Sequence, residues 1–131
     1  MARLSGDTPP LLIDTRSPDE YSGKRQKSGA ATAGRIPNSH AINWTNCVNY
    51  NSDKKFKSVN QLRTIYQEII PNKDTQIIAY CHTGVRSAHT IFVLKELLGY
   101  SHVKNYDGSW TEWSYFNDTP KAQDSITTIF N

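Results

Sequence analysis

The sequence predicts an α/β fold in which a central parallel sheet carries helices on both faces. Short apolar runs alternate along the chain with segments of helical periodicity, which is the pattern of a parallel sheet with crossover helices. Helix-start signals recur between those runs. The 131 residues, of which 37% are hydrophobic and 21% charged, suffice for one globular domain with a buried core.

The first part of the chain predicts two strands and one short helix. The run LLID at residues 11–14 indicates a buried strand, and HAIN at 40–43 indicates a second. Between them, SPDE at 17–20 has serine at the N-cap, proline at the first helical position and glutamate three residues after the serine. Residues 22–39, rich in Gly, Ser, Lys and Ala, predict a loop.

The middle of the chain predicts a helix and another buried strand. SVNQ at 58–61 repeats the capping-box layout, and Pro71 marks the end of the helix that it opens. The run QIIAY at 76–80 indicates a buried strand. The apolar face of the helix is predicted to comprise Val59, Leu62, Tyr66, Ile69 and Ile70.

The last part of the chain predicts two more helices with a strand between them. A helix from Arg86 or Ser87 is expected to end before Gly99, a natural residue after a helix C-cap. Residues 102–106 indicate a strand. SWTE at 109–112 predicts a third capping box with serine as N-cap, and the tryptophans of that helix are expected to pack near the entrance of a site.

Composition and charge narrow the classes of partner. The net charge of +3 and the pI of about 8.9 give a mild preference for small anions. The basic residues do not form one interleaved stripe, so we expect no nucleic-acid partner. The basic clusters at 24–27 and 54–57 are interpreted as solvated loops in preference to binding patches.

Targeting signals and cysteine usage predict a cytoplasmic protein without a membrane partner. The segment MARLSGDTPP has no apolar core of a secretory signal, and the apolar runs are far too short to span a bilayer. Two cysteines, at positions 47 and 81, make no disulfide framework. A reducing compartment is the simpler interpretation.

The stretch YCHTGVRSAHT at residues 80–90 predicts the functional site. Cys81 follows a buried strand, and sites in parallel sheets lie at the carboxyl ends of strands. Gly84 permits a positive φ or a close approach of the backbone. A tight loop that runs into a helix N-terminus turns N–H groups inward and stabilises an anion, including a thiolate. Arg86 adds a permanent positive charge.

These features favour a sulfur nucleophile at Cys81 over a buried structural cysteine, and they activate the thiol without a neighbouring histidine base. Cys47, in the segment WTNC, has no such surroundings and is interpreted as passive. His82 either influences the charge around the substrate or forms part of the rim, and His89 is expected at the surface of the helix or at its boundary with the core. None of the four histidines has zinc-site spacing, so we expect no metal.

Four segments together resemble the rhodanese domain, a family of sulfurtransferases. LLIDTRSPDEYSG resembles the family's first strand and its D-x-R turn, and GRIPNSHAINW is similar to its GxIPGA-N segment. IIAYCHTGVRSAHT resembles the active-site strand, loop and helix. YDGSWTEW resembles a motif of the catalytic module in tandem thiosulfate sulfurtransferases. The resemblance covers nearly the whole chain, with its motifs in the family's order.

The resemblance implies a rhodanese-like three-layer fold and a ping-pong sulfurtransferase. The Cys81 thiolate would take a sulfane sulfur from thiosulfate or a related small anionic donor, and the persulfide would pass it to cyanide or a thiol. No cofactor is implied. The resemblance assigns the persulfide-binding loop to His82, Thr83, Gly84, Val85 and Arg86. Asp14 and Arg16 match D-x-R and are expected to support the loop together with Ser87, or, as the favoured alternative, to form a buried ion pair at the strand–loop junction.

Departures from the family leave the sulfur donor open. Glu20 stands where animal thiosulfate and mercaptopyruvate enzymes carry a substrate-binding arginine, and the loop C-H-T-G-V-R differs from theirs. The chain is expected to be a single domain over residues 1–131, and it is a candidate module of a longer tandem protein with a second rhodanese module as partner.

Two other functions compete with this one. A Cdc25-like phosphatase or arsenate reductase shares the fold, but that branch has five residues between cysteine and arginine, whereas four separate Cys81 from Arg86. A persulfide carrier or binding module is the other alternative. The presence of the cysteine disfavours a pure scaffold but not a carrier.

Overall fold

A computed structural model describes residues 9–49, 52–124 and 128–129 of the chain. Four parallel strands form its central sheet, in the spatial order β3-β1-β4-β5. Two short strands, β2 and β6, pair in parallel as a separate sheet. The predicted α/β class with a parallel central sheet is confirmed. The strands are β1 (Leu11–Asp14), β2 (Arg25–Gln26), β3 (His40–Ala41), β4 (Ile77–Tyr80), β5 (Val103–Asn105) and β6 (Thr128–Ile129).

The helices connect the strands of the central sheet, as the alternating pattern predicted. They are α1 (Pro18–Ser22), α2 (Val59–Gln67), α3 (Val85–Phe92), which continues as a π-helical turn (Val93–Leu97), and α4 (Ser109–Tyr115), with one 3₁₀ turn (Trp44–Cys47). Within the described part of the chain, no helix combines the length and apolarity that crossing a membrane would need.

Three of the predicted helix boundaries are present in detail. The Ser17 side chain accepts a hydrogen bond from the backbone of Glu20, and both halves of this capping box are formed. Ser58 and Gln61 form the second capping box in the same way. The π-helical turn ends before Gly99, whose φ of 80° lies in the left-handed region.

The core lies on both faces of the central sheet because successive strand residues point to opposite sides. In β4, Ile77 and Ala79 join one apolar cluster and Ile78 and Tyr80 join the other. The first cluster also contains residues of α2 and the α3 region: Leu62, Tyr66, Ile70, Val93 and Leu94. The second contains Trp110 and Trp113 of α4. Helices therefore cover both faces, as predicted.

Three details of β2 and α2 differ from the sequence predictions. The predicted loop over 22–39 includes β2, because residues distant in sequence supply its partner β6. α2 ends at Gln67 and not at residue 70. Val59, predicted on the buried face, is 41% exposed, since the first turn of α2 lies at the surface between exposed neighbours.

The third predicted capping box, at the start of α4, is wrong. Gly108 is the N-cap, and no side chain caps this helix. Ser109 has a φ of 52°, and its hydroxyl donates to the Tyr106 carbonyl at 2.6 Å and accepts from the Cys81 N–H at 3.0 Å. Glu112 instead accepts a hydrogen bond from the Tyr106 hydroxyl. The sequence pattern predicted that Ser109 caps the helix. Its hydroxyl instead binds the buried backbone at the end of β4.

Candidate active site

The predicted nucleophile lies where β4 ends and the loop to α3 begins. Cys81 directly follows Tyr80 and is 1% exposed. The first turn of α4 holds this backbone from one side. The Cys81 and His82 carbonyls accept hydrogen bonds from the backbone N–H groups of Trp110 and Thr111, at 3.0 and 3.1 Å. With the Ser109 contact, α4 fixes the loop where the sulfur is attached.

The sulfur of Cys81 faces hydrogen-bond donors of its own loop. The Gly84 N–H lies 3.0 Å from Sγ, and the Ser87 hydroxyl lies 3.5 Å from it. Burial opposes ionisation of the thiol. The Ser87 hydroxyl and the backbone N–H groups of Ser87, Thr83 and Gly84 outweigh that effect, so the pKa of Cys81 falls below its ordinary value. The arrangement stabilises a thiolate.

The left-handed φ of residue 84 and its close approach to Asp107 both favour glycine at this position. Its φ of 92° is left-handed, and it forms the N-cap of α3. A Cβ atom at this position would lie 2.8 Å from the Asp107 carbonyl oxygen, which is too close for a real contact. The positive φ and the close backbone approach predicted from the sequence are both present. They aim the Gly84 N–H at the sulfur.

Ser87 is held by a residue that the sequence did not single out. Its hydroxyl has one proton, which is shared among three acceptors: Oδ1 of Asn105 at 2.5 Å, the Gly84 carbonyl oxygen at 3.2 Å and Sγ of Cys81 at 3.5 Å. The Asn105 amide donates to the same Gly84 carbonyl at 3.0 Å. Asn105 ends β5, the neighbour of β4, so the rule that sites gather at the carboxyl ends of strands could have pointed to it.

Arg86, which the sequence analysis expected to add a permanent positive charge, is bound by Glu20. Nη1 and Nη2 of Arg86 donate to the two oxygens of Glu20 at 2.8 and 2.9 Å. Glu20 is 3% exposed, and burial opposes its ionisation. Hydrogen bonds from Arg86 and the charge of that guanidinium outweigh burial and lower the pKa of Glu20 to about 2. The carboxylate thus serves both the α1 capping box and Arg86.

Arg86 also lies within electrostatic reach of the candidate nucleophile. Its hydrogen bonds to Glu20 contribute most to raising its pKa, while the charge on Cys81 contributes less and in the same direction. The Arg86 guanidinium is therefore hydrogen-bonded to the buried Glu20 carboxylate and also interacts electrostatically with Cys81.

Asp14 and Arg16 form the buried ion pair that the sequence analysis favoured. Their side chains are 0% and 2% exposed, and Nη2 of Arg16 lies 2.7 Å from Oδ2 of Asp14. The same nitrogen donates to the Gly34 carbonyl at 2.7 Å. The guanidinium lies 5.0 Å from the Trp110 ring centroid and 5.7 Å from that of Tyr80. The pair joins the end of β1 to β4 and α4.

The remaining loop residues differ in exposure. His82 is buried, and its Nε2 lies 2.8 Å from the Ser28 carbonyl oxygen. Burial lowers the pKa of His82 below its ordinary value, so the ring is neutral at pH 7 and offers no charge to a substrate. Thr83 is exposed, and Val85 is 75% exposed. These two side chains form the outer rim of the loop.

The other residues weighed in the sequence lie in packing positions. Cys47 is fully buried, and its sulfur lies 3.0 Å from the Tyr66 hydroxyl. Neither cysteine forms a disulfide. His89 packs between Trp44 and Phe56. In the described residues, no group of three or more His, Cys, Asp or Glu side chains is placed to hold a metal ion.

Fold and site together define an α/β protein with a buried cysteine in a loop whose hydrogen-bond donors favour the thiolate. The chain belongs to the rhodanese family, since the model of the rhodanese-like domain matches residues 1–115. Among curated relatives, the sulfur carrier protein TtuD of Thermus thermophilus is 47% identical over 118 residues, covering 86% of this chain and 41% of that protein. The "Putative thiosulfate sulfurtransferase SseA" of Mycobacterium tuberculosis is 46% identical over 108 residues, covering 78% and 35%. The chain thus spans less than half of these relatives.

Solved structures with the same fold include an enzyme of ergothioneine biosynthesis. The anaerobic enzyme of Chlorobium limicola, solved with trimethyl histidine, superposes with a TM-score of 0.76 at 28% identity over 89% of this chain and 29% of that one. EanB, captured as a cysteine persulfide with ergothioneine, superposes with a TM-score of 0.77 at 25% identity, over 93% and 30%. This chain therefore has the fold of a protein in which a cysteine persulfide has been observed.

Proposed function

We propose that the chain transfers a sulfane sulfur through a persulfide on Cys81. The observation that carries this proposal is the surroundings of that sulfur. It is buried at the end of β4, contacted by the Gly84 N–H and the Ser87 hydroxyl, with a lowered pKa of the thiol. The same donors suit a persulfide anion, which needs the same kind of stabilisation one atom further out. The family's sulfurtransferases and the sulfur carrier TtuD support this class of chemistry.

The reaction runs in two balanced steps. The Cys81 thiolate attacks the outer sulfur of the donor, a bond forms between the two sulfurs, and the donor's own S–S bond breaks. With thiosulfate as the donor, the electron pair of that bond leaves with sulfite. In the second step, a thiolate or cyanide attacks the outer sulfur of the persulfide, and Cys81 leaves as the thiolate. Loop residues 82–86, together with Ser87, are proposed to hold the persulfide between these steps.

A sulfur carrier is the second candidate, and one comparison favours it. TtuD, a sulfur carrier protein, is 47% identical to this chain. A carrier uses the same Cys81 persulfide but accepts it from a protein and not from thiosulfate. Slow turnover with thiosulfate, together with ready loading from a protein persulfide, would select the carrier.

The phosphatase and arsenate reductase reading receives less support from this geometry. Phosphate carries a higher negative charge than a thiolate, and Glu20, which accepts from both terminal nitrogens of Arg86, already balances the charge of that arginine. Four residues separate Cys81 from Arg86, one fewer than in that branch. The single domain over 1–131, the tandem partner module and the cytoplasmic location stay predictions from the sequence.

The direct test is thiocyanate formation from thiosulfate and cyanide by the wild type, Cys81→Ser and Cys47→Ser. We expect Cys81→Ser to lose activity by at least about a thousandfold, as happens when a covalent nucleophile is removed. Cys47→Ser is the matched control, because its hydroxyl still reaches Tyr66, and it should keep most of the activity. Hydrolysis of para-nitrophenyl phosphate is measured alongside. Phosphate release without thiocyanate would contradict the proposal.

A further inference from the structure

The charges beside the Cys81 loop cancel in pairs. Asp14 neutralises Arg16, and Glu20 neutralises Arg86, at N···O distances of 2.7 and 2.8 Å. Lys27 lies within electrostatic reach of His82, but its side chain is exposed and screened by solvent. Among the described residues around the loop, the buried cations are therefore already paired before a donor arrives. A small dianion finds backbone N–H groups there but no uncompensated buried positive charge.

The outer rim of the loop, formed by Thr83 and Val85, carries no charge. Val85 follows Gly84 directly and is 75% exposed, so its side chain faces solvent at the N-terminus of α3. An uncharged rim adds no attraction for a dianion. The neutral charge balance and this uncharged rim therefore both favour a donor of lower charge.

We propose that Glu20 is a specificity-determining residue, which disfavours inorganic dianions and favours sulfane donors of lower charge. The inference rests on the proposed sulfur transfer at Cys81. Organic thiosulfonates and organic persulfides, including a cysteine persulfide in another protein, belong to this donor class. Glu20 acts through Arg86, because it binds both terminal nitrogens of that guanidinium. The guanidinium in turn interacts electrostatically with Cys81.

The chemistry is the same for a donor of this class. With a thiosulfonate, the Cys81 thiolate attacks the outer sulfur, the donor S–S bond breaks, and its electron pair leaves on the sulfinate. One sulfur moves to Cys81, and the total charge is unchanged. Benzenethiosulfonate, a monoanion with an aromatic body, and thiosulfate, a dianion, therefore form the same persulfide and differ in charge and in apolar surface.

The experiment measures kcat/KM for both donors, with cyanide as acceptor, in the wild type and in Glu20→Gln. Glutamine keeps the capping box at α1, since it still accepts the hydrogen bonds of Ser17, but it removes the negative charge. We expect kcat/KM to rise about tenfold for thiosulfate, through KM, and about threefold for benzenethiosulfonate, because the electrostatic energy scales with donor charge. An equal change for both donors, or a loss with thiosulfate alone, would overturn the proposal.

A double variant tests whether Glu20 acts through Arg86, and a series of ionic strengths tests whether the charges at the site are paired. In Glu20→Gln/Arg86→Gln, the gain with thiosulfate should disappear, and a gain that persists would show that Glu20 does not act through Arg86. In the wild type, KM for thiosulfate should change less than about twofold between low and moderate ionic strength, because paired charges leave little net field to screen. A steep increase would contradict the proposal without any variant. Failure of both donors to load Cys81 would instead refute the sulfur transfer itself.

Discussion

At the residue scale, the reactivity of Cys81 depends on a balance between burial and hydrogen bonding. The thiol is 1% exposed, which alone would favour the neutral form, yet the donors of its own loop favour the anion more strongly. The sequence predicted Cys81, Gly84 and the anion-binding loop, because their signals lie within a few consecutive residues. It predicted a permanent positive charge at Arg86 but not the pairing with Glu20, because nothing in a local pattern shows that a residue 66 positions earlier reaches it.

Ser87→Ala tests that balance through pH. The change removes the largest contribution that lowers the pKa of Cys81, so the thiolate should form at higher pH. We expect the midpoint of iodoacetamide alkylation against pH to move upward. The rate at pH 7 should fall roughly tenfold, since a hydrogen bond to a charged acceptor is worth about 1.5 kcal/mol or more.

The measurement is made in a Cys47→Ser background, so that Cys81 is the only thiol that iodoacetamide can alkylate. Ser58→Ala, which removes the N-cap of α2 away from the loop, is the control and should leave the midpoint unchanged. An unmoved midpoint in Ser87→Ala would mean that the backbone N–H groups alone hold the thiolate.

At the element scale, the first turn of α4 fixes the backbone that carries the nucleophile. The sequence predicted this helix and two other capping boxes correctly but assigned Ser109 to the wrong partner. A capping-box pattern takes account only of the hydrogen bonds that the first turn of the helix itself needs. In the folded protein, the Ser109 hydroxyl accepts a hydrogen bond from the buried N–H of Cys81 and donates one to the carbonyl of Tyr106.

Ser109→Ala should destabilise the protein and loosen the active loop together. It leaves the buried Cys81 N–H without a partner, which costs about 1–3 kcal/mol in the free energy of unfolding. Ser109→Gly loses the same hydrogen bond but relieves the φ of 52°, so we expect a smaller loss than in the alanine variant. Urea unfolding measures both, and equal stability of wild type and Ser109→Ala would contradict the assigned role.

At the scale of the whole molecule, the parallel sheet and its helix layers followed from alternation alone. β1 and β4 were predictable because a buried parallel strand is a continuous apolar run, as in LLID and IIAY. β2 was not, since two residues without apolar periodicity form a strand only through pairing with β6. The same limit applies to the site: Asn105 and Glu20 join it through tertiary contacts with Ser87 and Arg86, which a single sequence does not encode locally.

The central claim is that Cys81 carries a persulfide, and the most direct test is the mass of the protein after incubation with a sulfane donor. Wild type treated with benzenethiosulfonate or thiosulfate, freed of excess donor, should gain the mass of one sulfur atom. Peptide mapping should place that sulfur on Cys81, and cyanide should remove it with formation of one thiocyanate per chain. A protein that gains no sulfur, or gains it on Cys47, would contradict the account.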